Sequence, residues 1–170
     1  MGLAWLATFL QTFSIDFNVQ DENGGKMNAL MTSAIVEKVG NVKLLLDNNE
    51  ELHLDLNAVN VFDKTALISA CELDNPQVIL PFLECAKAKG INVNATDIVN
   101  ESAFFFACNK TSKDNKIERL EILMKFAKDL DMDLMTRDSI DDKTGFDFLS
   151  LETREKLREK FPDCVPDETL

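Results

Sequence analysis

The chain has 170 residues, 45% of them hydrophobic, with 30 acidic against 18 basic side chains and a net charge of −12. That length holds one domain with a continuous core, and that composition excludes a disordered chain. The acid surplus excludes the basic footprint of nucleic-acid binding and opposes docking on anionic membranes. It keeps a chain soluble and steers it toward basic partners. The aromatic set is twelve Phe and one Trp with no Tyr, so most rings are expected inside a core.

In chain order, the first segment, residues 1–13, is apolar but lacks a basic leader, and it is too short to span a bilayer. Gly2 opens a myristoylation pattern, but Leu6 stands where Ser or Thr is required. Residues 3–14 are expected to form one helix that closes the end of the core. Beyond it a motif recurs. Lys26-Met-Asn-Ala-Leu-Met-Thr-Ser-Ala34 returns as Asp63-Lys-Thr-Ala-Leu-Ile-Ser-Ala-Cys71 and as Asn100-Glu-Ser-Ala-Phe-Phe-Phe-Ala-Cys108, each step being 37 residues. A fourth copy, Asp142-Lys-Thr-Gly-Phe-Asp-Phe-Leu149, starts in the same way and then diverges. A second motif interleaves: Asp16-Phe-Asn-Val-Gln-Asp21, Asp55-Leu-Asn-Ala-Val-Asn60, Asn92-Val-Asn-Ala-Thr-Asp97 and Asp133-Leu-Met-Thr-Arg-Asp138. Fixed-period self-similarity is the mark of a repeat architecture.

Apolar residues sit between the motifs at helical spacing: Leu30, Val42, Leu45 and Leu46, then Leu67, Ile79, Phe82 and Leu83, then Phe104, Leu120, Leu123 and Met124. This predicts two short helices per repeat that share an inner face. The third repeat is longer, and its extra residues fit the polar run 109–115 as an inter-helix loop. Asn28, Thr65, Ser102 and Thr144 are expected helix caps, worth about 1 kcal/mol each. Gly90 fits a helix end in the second repeat, while Asn49 and Leu130 stand nearby in the others and imply different turns.

The order Thr-Ala-Leu-x-x-Ala, an apolar helix, then Gly-x-Asn-x-Asn resembles the ankyrin repeat over roughly residues 3–149. Ala29, Ala66, Ala103 and Gly145 stand where that family usually has Pro. The resemblance implies an all-α fold with short β-hairpin loops, a solenoid of about three full repeats with capping half-repeats. One domain would cover 1–161: a half-repeat at 3–22, repeats at 23–59, 60–96 and 97–138, and a cap at 139–161 in which Thr144 starts a helix. Residues 162–170 would form a flexible acidic tail.

No catalytic, cofactor or metal site is expected. His53 is the lone histidine, Gly24-Gly25 lacks the Lys-Ser/Thr of a phosphate loop, and Cys71, Cys85, Cys108 and Cys164 form no CxxC pair. Free thiols imply a reducing, intracellular and cytoplasmic setting, and the Asn-, Asp- and Lys-rich composition points to a microbial genome. For a pathogen, delivery into the host cell would follow.

The resemblance implies a non-catalytic adaptor or inhibitor, monomeric on its own, that binds another protein and neither nucleic acid nor membrane. Its surface would be the hairpin tips, Val61, Phe62 and Lys64, Ile98, Val99 and Glu101, and Ile140. The helical side would add Glu72, Leu73, Asn109 and Lys110, with Phe105 and Phe106 bracketing the groove. The apolar tips could equally pack on neighbouring hairpins. Two alternatives stay open: an acidic effector- or antitoxin-like protein that captures a basic protein by polyanion mimicry, and a structural piece of a longer array.

Overall fold

A computed structural model describes residues 16–21, 25–109 and 116–166. The helix expected at 3–14 and the residues of the 109–115 loop beyond Asn109 lie outside that range. Seven α-helices occur among the described residues: α1 (Ala29–Ile35), α2 (Val39–Asp47), α3 (Ala66–Cys71), α4 (Leu80–Lys89), α5 (Ala103–Asn109), α6 (Lys116–Ala127) and α7 (Leu151–Lys160), with 3-10 turns at Pro76–Val78 and Gly145–Phe148. The protein is mostly helical, and among the described residues no helix is long and apolar enough to cross a membrane.

Polar side chains open the first helix of each pair. Asn28 accepts the Met31 amide at 2.9 Å, Thr65 the Ile68 amide at 3.3 Å and Ser102 the Phe105 amide at 3.3 Å. Each satisfies a backbone donor that a helix start leaves unpaired. These caps keep the register read from the sequence. The fourth, Thr144, donates both its amide and its hydroxyl to the Asp147 carboxylate, at 2.7 and 2.9 Å.

The helices form two layers. α1 packs on α3 and α3 on α5, and the Gly145–Phe148 turn continues that row; α2 packs on α4, α4 on α6 and α6 on α7. The core lies between the rows. Leu30, Leu67, Phe104 and Phe146 come from one side, and Val42, Ile79, Phe82, Leu120, Leu123 and Leu157 from the other, all buried. Each such side chain contributes about 1.5–3 kcal/mol on leaving water. The Phe104 and Phe146 rings meet with centroids 5.0 Å apart. Gly145 permits this approach, because a Cβ there would stand 3.0 Å from Cys108 Sγ and 3.2 Å from Phe105 Cα.

One backbone closure follows all three second helices, directly after Lys89 in α4 but several residues beyond Asp47 in α2 and Ala127 in α6, so the turns differ in length, as expected, and share their last step. The left-handed residues are His53, Gly90 and Asp131, with φ of 48°, 67° and 49°. The next amide in each case, Leu54, Ile91 or Met132, reaches back to the carbonyl of Asn49, Ala86 or Ala127. This is a Schellman closure built three times, once on the usual Gly and twice on His or Asp.

A hydrogen-bonded clamp then joins each repeat to the next. Asn18 donates to the His53 carbonyl at 2.7 Å and accepts the Asp55 amide at 2.7 Å. Asn57 does the same with Gly90 and Asn92, at 2.9 and 2.8 Å. Asn94 does it with Asp131 and Asp133, at 2.8 Å each. The fourth copy carries Met135 at this position, and there the series stops.

The hairpin loops are minimal. Bridges at Thr96–Ser102 and Arg137–Thr144 are the regular pairings among the described residues. The cap is built in two pieces rather than as a helix running on from Thr144: the turn ends at Leu149, and Ser150 opens α7 by accepting the Thr153 amide. The chain expected to leave the domain at Pro162 stays on it as far as Pro166, and residues 167–170 of the expected tail lie outside the described range. Val165 is buried, and Arg158 donates to the Pro166 carbonyl at 2.6 Å.

Candidate functional site

Each hairpin tip is built on one polar side chain. Asn60 accepts the amides of Phe62 and Lys64, at 2.9 and 3.1 Å. Asp97 accepts those of Val99 and Glu101, at 3.0 Å each. Asp138 accepts those of Ile140, Asp141 and Lys143. The Asp141 amide, foremost among these donors, holds the Asp138 carboxyl below its ordinary pKa. The chain then turns through a left-handed residue, Asp63, Asn100 or Asp142, with φ of 58°, 65° and 54°. Asn and Asp tolerate that region better than other side chains.

The tips are tied to one another through backbone. Val61 donates to the Gly25 carbonyl at 3.0 Å, Ile98 to Phe62 at 3.1 Å and Ser139 to Val99 at 2.8 Å. Their side chains nonetheless face solvent. Val61 is 48% exposed, Phe62 54%, Ile98 59% and Ile140 71%, while Val99 is half-buried. The tips therefore bond to one another by backbone while these four apolar side chains stay exposed.

Behind the tips, Lys64 is half-buried. It pairs with the Glu72 carboxylate, and its Nζ lies 4.1 Å from the Phe106 ring centroid. Glu101 shares this nook. Burial pushes its carboxyl upward, as do the neighbouring charges of Asp97, Asp138 and Glu72, and Lys64 opposes them. Phe105 is buried against Phe148, with ring centroids 5.1 Å apart, so of the bracketing pair only Phe106 reaches the surface. Leu73 is half-buried and Asn109 exposed at the ends of α3 and α5. Lys110 lies outside the described residues.

Two surface residues escaped the sequence reading. Ile35 and Val36, at the end of α1, are 37% and 52% exposed. They stand one repeat before Glu72 and Leu73, and the interval of 37 could have found them. A separate groove of about 680 Å³ lies between the end of α6 and the chain after α7, lined by Met132, Met135, Phe161 and Cys164 among others. None of the expected surface residues lines it. Among the described residues, no group of three or more His, Cys, Asp or Glu side chains is arranged to hold a metal. Cys71 and Cys108 are buried. Burial raises the Cys71 thiol from 9.0 to about 12 and the Cys108 thiol further, which removes the thiolate that nucleophilic chemistry needs.

Neither a scan against protein-family models nor a search of curated proteins finds a match to this chain.

Proposed function

We propose that this chain is an ankyrin-like repeat module without catalysis of its own, an adaptor or inhibitor that binds a partner protein through its hairpin tips and the adjoining helical face. The observation that carries this reading is that Val61, Phe62, Ile98 and Ile140 stay in solvent on hairpin tips that are tied together by backbone bonds. Exposed apolar residues recurring across several repeats are uncommon on a surface that meets only water. The stacked helix pairs, the clamp from repeat to repeat and the shared caps agree with an ankyrin-type solenoid, in which each unit buries its faces on its neighbours.

The test compares proteins captured by the chain with those captured by a Phe62→Asp, Ile98→Asp variant, using extract of the cell in which the chain works. Loss of a captured protein in the variant, retained in about 1 M salt, is the expected result. Capture that survives both substitutions and vanishes in salt would replace the tip surface with plain polyanion attraction.

A further inference from the structure

The two pieces of the cap are held in different ways. The first, Gly145–Phe148, is locked to α5. Phe146 sets its ring 5.0 Å from that of Phe104, and Phe148 sets its ring 5.1 Å from that of Phe105. Gly145 stands so close that a Cβ there would lie 3.2 Å from Phe105 Cα. Leu149, also buried, completes this piece.

The second piece, residues 150–166, is bonded chiefly to itself. Ser150 accepts the Thr153 amide, the Phe161 amide donates to the Leu157 carbonyl, the Cys164 amide to that of Phe161, and the Arg158 guanidinium to that of Pro166. Among the described residues, one hydrogen bond joins this piece to the rest of the protein. It runs from Lys160 to Glu121 on α6, at 2.5 Å, between partly exposed side chains. Leu157 and Val165 are its buried apolar anchors. Against them stand the Nε atoms of Arg154 and Arg158, which are buried without a hydrogen-bond partner. A donor taken out of water unpaired penalises the closed arrangement.

The groove of about 680 Å³ runs along the same seam. Lys160, Phe161 and Cys164 line it from this piece, and Met124, Met132 and Met135 line it from the body of the protein. A close-packed contact leaves no such gap. Few buried anchors and internal bonding mark a segment that opens separately from its surroundings. The junction suits a hinge, because Leu149 and Ser150 are both extended, with ψ of 137° and 154°.

We propose that residues 150–166 form a lid beside the apolar groove, hinged between Leu149 and Ser150 and latched by Lys160 and Glu121. The lid separates as one unit while Gly145–Phe148 stays on α5. Opening bares the groove wall of Met124, Met132 and Met135, and closing covers it.

Two readouts on the full chain follow the opening together: hydrogen exchange by mass spectrometry, and maleimide labelling of Cys164 located by peptide mass. The amides of α7 should exchange at one common rate, about 100-fold faster than those of α5, while residues 145–149 keep the protection of α5. Leu157→Ala should speed α7 exchange and Cys164 labelling by the same factor, at least about tenfold, and leave α5 unchanged. Glu121→Gln, or about 1 M salt, should speed both about threefold. The proposal is overturned by α7 amides as slow as those of α5, or by rates that fall off progressively from Lys160, as in simple fraying. It is overturned equally by release of residues 145–149 together with α7, by Cys164 labelling that does not follow exchange, or by rates indifferent to Glu121→Gln and to salt.

Discussion

Cys71 and Cys108 occupy, in successive repeats, the position that Ala34 fills in the first. All three are buried, which makes the thiols small apolar fillers at a seam between helices. Burial lifts the Cys71 thiol to about 12. A group whose pKa rises on folding gives its full stability below the unfolded value of 9.0, and loses it as the pH climbs toward the folded value. The denaturation midpoint should therefore fall steeply above about pH 9, by roughly 1.4 kcal/mol per pH unit for each buried thiol. Cys71→Ala, which copies Ala34, should flatten that decline; urea titrations at intervals up to about pH 11 would reveal an unchanged slope if thiol burial were not the cause. At this scale the caps were legible, because Ser, Thr and Asn before an apolar run state a helix start directly. The left-handed His53 and Asp131 were not, since neither is the glycine that announces such a backbone.

Among the elements, α6 contains the least expected side chain. Arg119 is fully buried at the position where the second repeat has Val78. Among the described residues its guanidinium nitrogens have no hydrogen-bond partner, and its nearest carboxylate, Asp74, is 3.7 Å away. A buried cation with so loose a partner repays little of its desolvation, and an apolar side chain of similar volume is often as good or better, by about 1–4 kcal/mol. Arg119→Met should raise the urea midpoint or leave it unchanged; a clear loss of stability would mean the guanidinium holds the seam between α4 and α6. The sequence hid this feature because a charged residue on an amphipathic helix reads as solvent-facing. The split cap was hidden too. α7 buries only Leu157 and presents no apolar stripe, so its boundary with the preceding turn left no periodic signal.

Across the whole molecule, cohesion is handed from each unit to the next. Asn18, Asn57 and Asn94 each tie two backbone groups of the following repeat. A net hydrogen bond contributes about 1 kcal/mol, so Asn94→Ala should destabilise by about 1–2 kcal/mol. Because contacts run mainly between neighbours, the loss should be local. Hydrogen exchange should speed up from α6 onward while α1 to α3 keep their protection. Uniform acceleration over the chain would mean the repeats act as one indivisible unit. The stacking was legible because two motifs shared one period. The surface was only partly so: spacing located the tips, but the nook around Lys64 joins the Asn60 tip to a ring on α5 and has no linear signature.

Met135 gives this linkage a direction and a terminus. A thioether is a poor acceptor and donates nothing, so the fourth turn offers an incoming unit neither half of the amide handshake that its predecessors used. Stacked units with identical ends can grow head to tail into filaments. A single change of side chain, from one that passes the bond along to one that has none to pass, leaves the fourth turn without the handshake, much as a blocked monomer lacks the group through which a polymer is joined.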